Sequence, residues 1–443
     1  MKYTRYPKYK DSGIEWIGKI PEHWDVTRAR WLFREINDRS TNGDELLLSV
    51  SEYYGVKPKN EVVGLGDFLT HAASLIDYKK CKKNDLVINI MLAWKGALGI
   101  TDYDGIVSPS YNVFRPIEDR SAKYFHYLLR TSLYADIFRI NSTGITDSRL
   151  RLYPDSFESV NVIYPSLEEQ TLISKYLECE VRKLENLELK HKNMIKLLKE
   201  KRQAVITQAV TKGLHPNVPM KDSGIEWIGN IPKHWKVKEI KRNFMIINGS
   251  TPRSDTENYW GGQITWVTPE DLSSTEQPVI EESKRKLTIE GYKSCGTTLV
   301  PNGSIILSTR APIGQVKIAS SELCFNQGCK SLVKKYDNVN EYYFYYILDS
   351  TTDILNSIGQ GSTFLELSND NLGMYITPVP PLTEQIEISE FLNYQLNKIN
   401  LMVNKQQSMI KLLNDYKSSL ISNAVTGKID VRGLVKEVSE NGR

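Results

Sequence analysis

The sequence predicts an α+β protein: two pseudo-symmetric globular bodies separated by an antiparallel coiled coil of two long helices. Three observations predict it. A fifteen-residue segment occurs twice, as KDSGIEWIGKIPEHW at 10–24 and KDSGIEWIGNIPKHW at 221–235, with two differences at an offset of 211. A long helical pattern also occurs twice: residues 165–211 align without a gap on 380–426, at an offset of 215. MIKLL stands at both 194–198 and 409–413, and Ala-Val-Thr at both 209–211 and 424–426. Between motif and helix, each half carries short β-branched and aromatic runs broken by glycines, the pattern of strands and turns. The resulting boundaries are a first body at 1–164, a long helix at 165–213, a second body at 214–379 with its linker at 214–220, a second long helix at 380–427 and a tail at 428–443.

The helices carry the clearest pattern. In the first, Ile173, Leu177, Leu184, Leu187, Met194, Leu198 and Val205 fall at heptad-like spacing, the narrow seam of a coiled coil. Ser166 with Glu169 predicts a capping box, and Gly213 followed by Pro216 predicts the stop. At ~1.5 Å per residue the helix spans roughly 65 to 70 Å. The second repeats the seam with Ile388, Leu392, Ile399, Met402, Met409, Leu413, Tyr416 and Leu420. Polar interruptions correspond, Glu180 with Gln395 and His191 with Gln406; polar seam residues cost stability and can fix register. Pro381 stands where Ser166 stood, so the second helix is expected to start later, with Thr383 as its cap. Two equal seams in one chain most simply bury each other, and a pseudo-twofold tandem pair packs antiparallel.

In the first body, Leu46–Ser51, Asp85–Met91 and Tyr111–Phe114 read as strands and Ala122–Thr131 as helix. In the second, Ile264–Val267, Ser304–Ser308 and Val316–Ile318 read as strands and Glu341–Asp349 as helix. The bodies share this plan without extended identity, as expected of two modules doing one job on different targets.

Composition narrows the class. The chain has 443 residues, 40% hydrophobic and 25% charged, with net charge +4. That supports packed cores and permits an anionic partner without demanding one. No run of eighteen apolar residues predicts a membrane span, and the first residues lack the apolar stretch of a signal peptide. Cys81, Cys179, Cys295, Cys324 and Cys329 form no CxxC pair and read as reduced thiols of a cytoplasmic protein.

Catalytic patterns are scarce. There is no GxxxxGK[ST], HExxH or GxSxG, and no Asn/Asp-Pro-Pro-aromatic tetrapeptide of an amino-methyltransferase. Gly64-Leu65-Gly66 is too short for a nucleotide loop. One alternative is a single-chain DNA nuclease in which Asp271 and Glu282 hold a metal beside Lys284. Another is a coiled-coil scaffold with no DNA role. His23 and His234, inside the doubled IPxHW motif, read as structural.

The loops of both bodies carry the residue types that contact DNA. In the first body these are Trp94, Lys95, Ser110, Tyr111, Asn112, Thr143, Thr146, Ser148 and Arg149. In the second they are Thr251, Arg253, Tyr259, Trp260, Gln263, Arg310, Asn326, Gln327, Ser362 and Thr363. Arg pairs with guanine through two bonds, Asn and Gln with adenine, and Ser or Thr reach bases or phosphates.

The doubled DSGIEWIG-IP-HW segment, Trp-Val-Thr-Pro-Glu-Asp-Leu at 266–272, Arg-Ala-Pro-Ile-Gly at 310–314, Asn-Gln-Gly-Cys-Lys at 326–330, Gly-Ser-Thr-Phe at 361–364 and Pro-Pro-Leu-Thr-Glu-Gln at 380–385 resemble the specificity subunit of a type I restriction–modification system. The resemblance covers nearly the whole chain. In the first body Trp94–Gly99 and Ser108–Tyr111 stand in place of the Arg-Ala-Pro-Ile-Gly and Asn-Gln-Gly forms. It implies that each body is a target recognition domain reading one half of a split double-stranded DNA site. The helices would set the gap between half-sites and dock two modification (methyltransferase) subunits, with motor–nuclease restriction subunits completing the complex. It implies no active site or cofactor in this chain; S-adenosylmethionine, ATP and Mg belong to the partner subunits.

Overall fold

The computed structural model describes residues 4–62, 74–117, 121–275, 277–310, 312–359 and 366–434. Each body is built on an antiparallel sheet. In the first, β1 (Phe33–Ile36), β2 (Leu86–Asn89), β3 (Leu98–Ile100) and β4 (Tyr111–Pro116) lie in the order β1-β4-β2-β3. The first long helix, α1, is Leu167–Lys212. In the second body, β5 (Phe244–Asn248), β6 (Ile305–Ser308), β7 (Val316–Ala319) and β8 (Cys329–Lys334) lie in the order β5-β8-β6-β7, and Val279–Ile280 adds a parallel edge strand to β7. The second long helix, α2, is Leu382–Val425. The strand order repeats although the strand sequences do not. Strands buried on both faces need only apolar residues of suitable shape, which many sequences supply.

A two-stranded ladder closes each body. Asp25–Arg28 pairs with Asn161–Tyr164, and Lys236–Glu239 with Ile376–Val379. The second strand of each ladder runs straight into its long helix. This sets the doubled IPxHW motif against the helix start, where Trp24 and Trp235 are fully buried. Gly213 and Gly427 end the helices at φ +72°. A Cβ on Gly427 would stand 2.4 Å from Pro21, so the turn needs glycine for space as well as conformation.

Both helix starts use the same amide latch. Gln170 donates to the Pro165 carbonyl at 2.8 Å and accepts from the Ser121 amide at 3.2 Å. Gln385 donates to the Pro380 carbonyl at 2.9 Å and accepts from the Asn340 amide at 2.9 Å. Two expectations about the caps fail. First, α2 starts at Leu382 and not later. Pro381 takes the cap position, and its carbonyl accepts the Gln385 amide at 3.0 Å, as the Ser166 carbonyl accepts that of Gln170 at 2.9 Å. A cap residue's own N–H lies outside the helix, so proline loses nothing there. Second, the box at Ser166 is half made. Ser166 Oγ accepts the Glu169 amide at 3.4 Å. The Glu169 carboxylate turns instead to the Tyr6 hydroxyl at 2.5 Å and to His23 Nε2 at 2.7 Å. In the second half Glu384 takes His234 Nε2 at 2.6 Å and the Trp235 indole N–H at 2.9 Å. Asn217 stands at the position equivalent to Tyr6. With Tyr6 holding its glutamate, the buried Trp24 indole nitrogen is left without a partner.

Contacts divide the chain into two compact units, Met1–Lys192 with Ser408–Arg443, and Asn193–Gln407. Each unit therefore holds the first part of one long helix and the last part of the other. In the first unit, Ile173, Leu177, Leu184 and Leu420 share one core, with Leu413 packed on it, and Lys417 pairs with Glu185 at 3.6 Å. Ile429 and Val431 of the tail join that core. In the second unit, Leu198, Ile206, Ile388, Leu392, Leu396 and Ile399 share one core, with Val205 and Val403 packed on it. Within each unit the two segments run antiparallel. In the first, Ile163 and Val425 meet at the Tyr124 hydroxyl while Glu185 faces Lys417. In the second, Pro378 and Val210 meet at the Tyr343 hydroxyl while Ile399 and Val403 share a pocket with Lys199 and Arg202.

Five seam residues lie off the buried line. Leu187, Met194, Met402 and Met409 are 43, 47, 44 and 38% exposed, and Tyr416 is also exposed. A seam alternates steps of three and four. Val181 to Leu184 is a step of three, so the next step is four, to the half-covered Glu188, and then His191, Ile195 and Leu198 follow. Leu187 is one residue short, about 100° round the helix. The corresponding line in α2 runs Ile399, Val403, Gln406, Ile410, Leu413. The middle of the seam is thus partly polar, and its apolar look in the sequence came from the neighbouring flank. Leu177→Ala is expected to lower stability by about 2–5 kcal/mol, and Leu187→Ala by under about 1 kcal/mol. Urea unfolding of the full chain measures both; equal losses would refute this register.

Candidate nucleic-acid interface

In the second body the loops at one end of the sheet converge. β5 ends at Asn248, β6 at Ser308, and β8 starts at Cys329. Their backbones are tied there: the Ser250 amide donates to the Phe325 carbonyl at 3.0 Å, and the Thr309 amide to that of Gly328 at 2.8 Å. Gly249 allows the approach, since a Cβ would stand 2.1 Å from the Asn326 oxygen. Thr251 Oγ1 donates to the Gln327 side-chain carbonyl. Arg310 is exposed and its Nε meets Glu366 at 3.1 Å. Beneath them the largely buried Lys330 donates to Asn248 Oδ1 at 3.1 Å, and desolvation lowers its pKa. Beside this cluster, the Trp260 indole N–H donates to the Arg253 carbonyl at 3.1 Å, and that of Trp266 to the Ser250 carbonyl at 3.0 Å. Arg253 and Gln263 are exposed and Tyr259 is half-buried. Asn326 spends its Oδ1 on the Gly328 amide at 3.0 Å, which is turn chemistry. Ser362 and Thr363 lie outside the described residues.

The first body repeats the arrangement at the same end of its sheet. The Trp94–Ala97 stretch lies between β2 and β3 as Arg310–Gly314 lies between β6 and β7, and Ser108–Ser110 precedes β4 as Asn326–Gly328 precedes β8. The Trp94 ring is covered by Lys95 Nζ at 5.1 Å and by the Arg139 guanidinium at 5.2 Å. Arg139 in turn holds Asp147 at 2.9 Å, at the edge of the loop that carries exposed Thr143, Thr146 and Arg149. Ser148 lies on the same loop. Ser110 is exposed and Tyr111 half-buried. Asn112 is a correction: it is 6% exposed, and its Oδ1 accepts from Lys79 Nζ at 3.3 Å, so it supports the floor of the cluster.

Sequence reasoning missed the residues that hold these loops. Arg130 donates to the carbonyls of Ser51, Gly96, Leu98 and Glu52 at 2.6–3.3 Å, locking the Trp94 loop to a neighbouring hairpin. Burial draws its pKa down to about 10. His126 Nδ1 accepts the Ile100 amide at 3.2 Å, and burial pushes its pKa down to about 3. Arg139, Lys79 and Arg285 were also passed over, because isolated cations in polar runs look like solvated surface.

The nuclease trio does not assemble. Asp271 is buried, and its carboxylate accepts from the Thr268 amide at 2.8 Å and the Lys284 amide at 2.9 Å, closing a capping box. Lys284 Nζ sits on Glu270, and Glu282 is exposed beside Lys286 at 3.9 Å. Among the described residues no acidic, histidine and cysteine group could hold a metal ion. Nor is any described helix long and apolar enough to cross a membrane.

Two sheet-end clusters of amides, aromatics and cations, one in each body, present side-chain types that can contact DNA. The chain belongs to the type I restriction modification DNA specificity family, whose profile it matches at 33–197 and 232–411. It is similar to the type I restriction enzyme MjaIX specificity subunit of Methanocaldococcus jannaschii, 40% identical over 168 residues, 38% of this chain and 39% of that one. It is 23% identical to the putative MjaX specificity subunit of the same organism over 94% of this chain and 96% of that one. A chain from a structure of type I R-M complex assembly and conformational transition superposes with TM-score 0.71 at 17% identity, covering 92% of this chain and 98% of that one. The HsdS subunit from Thermoanaerobacter tengcongensis gives TM-score 0.53 at 16% identity, covering 93% and 98%. The protein is thus a non-catalytic specificity subunit that recognises DNA.

The lowered His126 pKa has a stability consequence. The unfolded histidine, near pH 6.5, binds a proton that the folded one refuses until about pH 3. Stability is therefore full above the unfolded pKa and falls as pH drops through that window. From pH 7 to pH 5 the loss from this residue is about 2 kcal/mol. Urea unfolding of the parent and His126→Gln at both pH values measures it; an unchanged acid-side loss in the variant would overturn the assignment.

Proposed function

We propose that each body is a target recognition domain that reads one half of a bipartite DNA site, and that the long helices set the unread gap. The domains are 1–164 and 214–379, the helices 165–213 and 380–427. The single observation that carries this is the repeated strand order, with a sheet-end loop cluster in each body and different side chains in the two clusters. A shared frame with divergent readers is what two different half-sites require. The helices also dock two modification subunits, and restriction subunits complete the complex in the cytoplasm. S-adenosylmethionine, ATP and Mg serve those partners. The modest net charge of +4 fits a DNA clamp to which partners contribute cations.

Replacing residues 236–379 with those of a relative of different specificity should change one half-site and leave the other intact. Methylome sequencing of a host expressing the chain with its modification partner reads this directly, and an unaltered motif would defeat the proposal. Inserting four residues after Lys190 and four after Lys405 lengthens the helices by about 6 Å. At about 3.4 Å per base pair the gap should grow by roughly two base pairs with both half-sites kept. A constant gap would count against the helices as spacers.

A further inference from the structure

The second body contains a further, three-stranded sheet. Strand Trp260–Val267 pairs antiparallel with Arg285–Leu287 and parallel with Cys324–Phe325. The first pairing is irregular between Trp260 and Ile264. Gly261 takes φ +81°, and a Cβ on Gly262 would stand 2.2 Å from the Leu287 oxygen. Two glycines thus let the strand kink and bring Trp260 back over its neighbour. The Trp260 and Trp266 rings meet edge-on at 5.1 Å and 76°.

Arg285 lies in this angle. Its guanidinium carbon is 3.3 Å from the Trp260 ring centre and 5.9 Å from that of Trp266. Among the described residues it has no ion-pair partner; Glu270 pairs with Lys284, and Glu282 lies 3.9 Å from Lys286. The indole N–H groups fix the aromatic pair to the 250–253 loop, and Thr251 of that loop bonds Gln327. Arg285 is therefore continuous with the candidate interface. A guanidinium stacked on a ring keeps its N–H edge in plane, outward and oriented before any ligand arrives. A planar fork of donors matches the O6/N7 edge of guanine in the major groove.

We propose that Arg285 is a specificity-determining residue of the second body, reading a guanine of its half-site from a platform made by Trp260 and Trp266. This rests on the reading of that body as a half-site reader. The alternative anion, a backbone phosphate, would use the same charge but carry no base preference.

The test uses the full chain assembled with its modification subunits. Arg285→Lys keeps the charge but loses the fork, and Arg285→Ala loses both. Methylome sequencing gives the motif. Competition binding, repeated across salt concentrations, measures sites in which each guanine of the second half-site is replaced by 7-deazaguanine or adenine. Both variants should lose about ten- to a hundredfold discrimination at one guanine, with the first half-site unchanged. Thermal unfolding is recorded alongside, and Arg285→Lys carries the result if Arg285→Ala unfolds. Uniform weakening at every sequence, with a shallower salt dependence for Arg285→Ala, would make Arg285 a phosphate contact and overturn the proposal. An unchanged motif and affinity would leave a purely structural clamp and overturn it too. In both cases exchange of residues 236–379 still decides the half-site reading: a changed half-site keeps that reading, and an unchanged one sinks both.

Discussion

The arrangement depends on one buried hydroxyl in each unit. Tyr124 Oη lies 3.2 Å from the Ile163 carbonyl and 3.1 Å from the Val425 carbonyl. Tyr343 Oη lies 3.2 Å from that of Pro378 and 3.0 Å from that of Val210. Each tyrosine thus joins three pieces: a body helix, the strand that enters one long helix, and the last turn of the other. Last-turn carbonyls have no partner inside their helix, and leaving one buried and unpaired costs about 1–3 kcal/mol. The tyrosine meets that need and fixes where the body sits on its helical segments. Through this joint the first unit is built from two separate stretches of the chain, Met1–Lys192 and Ser408–Arg443.

Around it the doubled motif works as a hub. Trp24 and Trp235 are buried in the same cores as the tyrosines, the glutamines latch the helix starts, and the glutamates hold the histidines. These roles explain why this segment is nearly identical in the two halves while the bodies are not. The hub residues face the same neighbours twice. The sheet-end loops carry exposed side chains such as Ser110, Thr143, Arg253 and Gln263, which no core contact constrains, so they were free to diverge once the shared backbone frame held them. Arg130 and Lys330 show how such loops are stiffened: a cation buried below the surface binds carbonyls or an amide and leaves the exposed residues above it.

The helices, the repeat and the main strands were legible because each has a local cause. A long helix announces itself by periodicity and by the glycine that ends it, and a doubled segment needs no structure to be seen. The seam register was legible at the ends, where Ile173, Leu177, Ile388 and Leu392 are buried, and misread in the middle. There the true line runs through Glu188, His191 and Gln406, and apolar side chains on the flank mimic it. Thr383 was chosen as a cap by residue type, whereas Pro381 serves through its carbonyl, which every residue has.

At the interface the sequence marked the loops but not their members. Trp94, Thr251, Arg310 and Gln327 stand at the sheet ends, whereas Asn112 is part of the floor. The nuclease trio dissolved because Asp271 caps a helix. Arg285 was invisible in a run of charges, since its distinction is the ring beneath it. By itself, the sequence determined the two-fold repeat, the extent of the helices and the family, because these rest on local pattern and near-identity. Only the tertiary structure decided the seam register, the strand order and which polar residues are exposed at the sheet ends, because those depend on contacts between segments far apart in the chain.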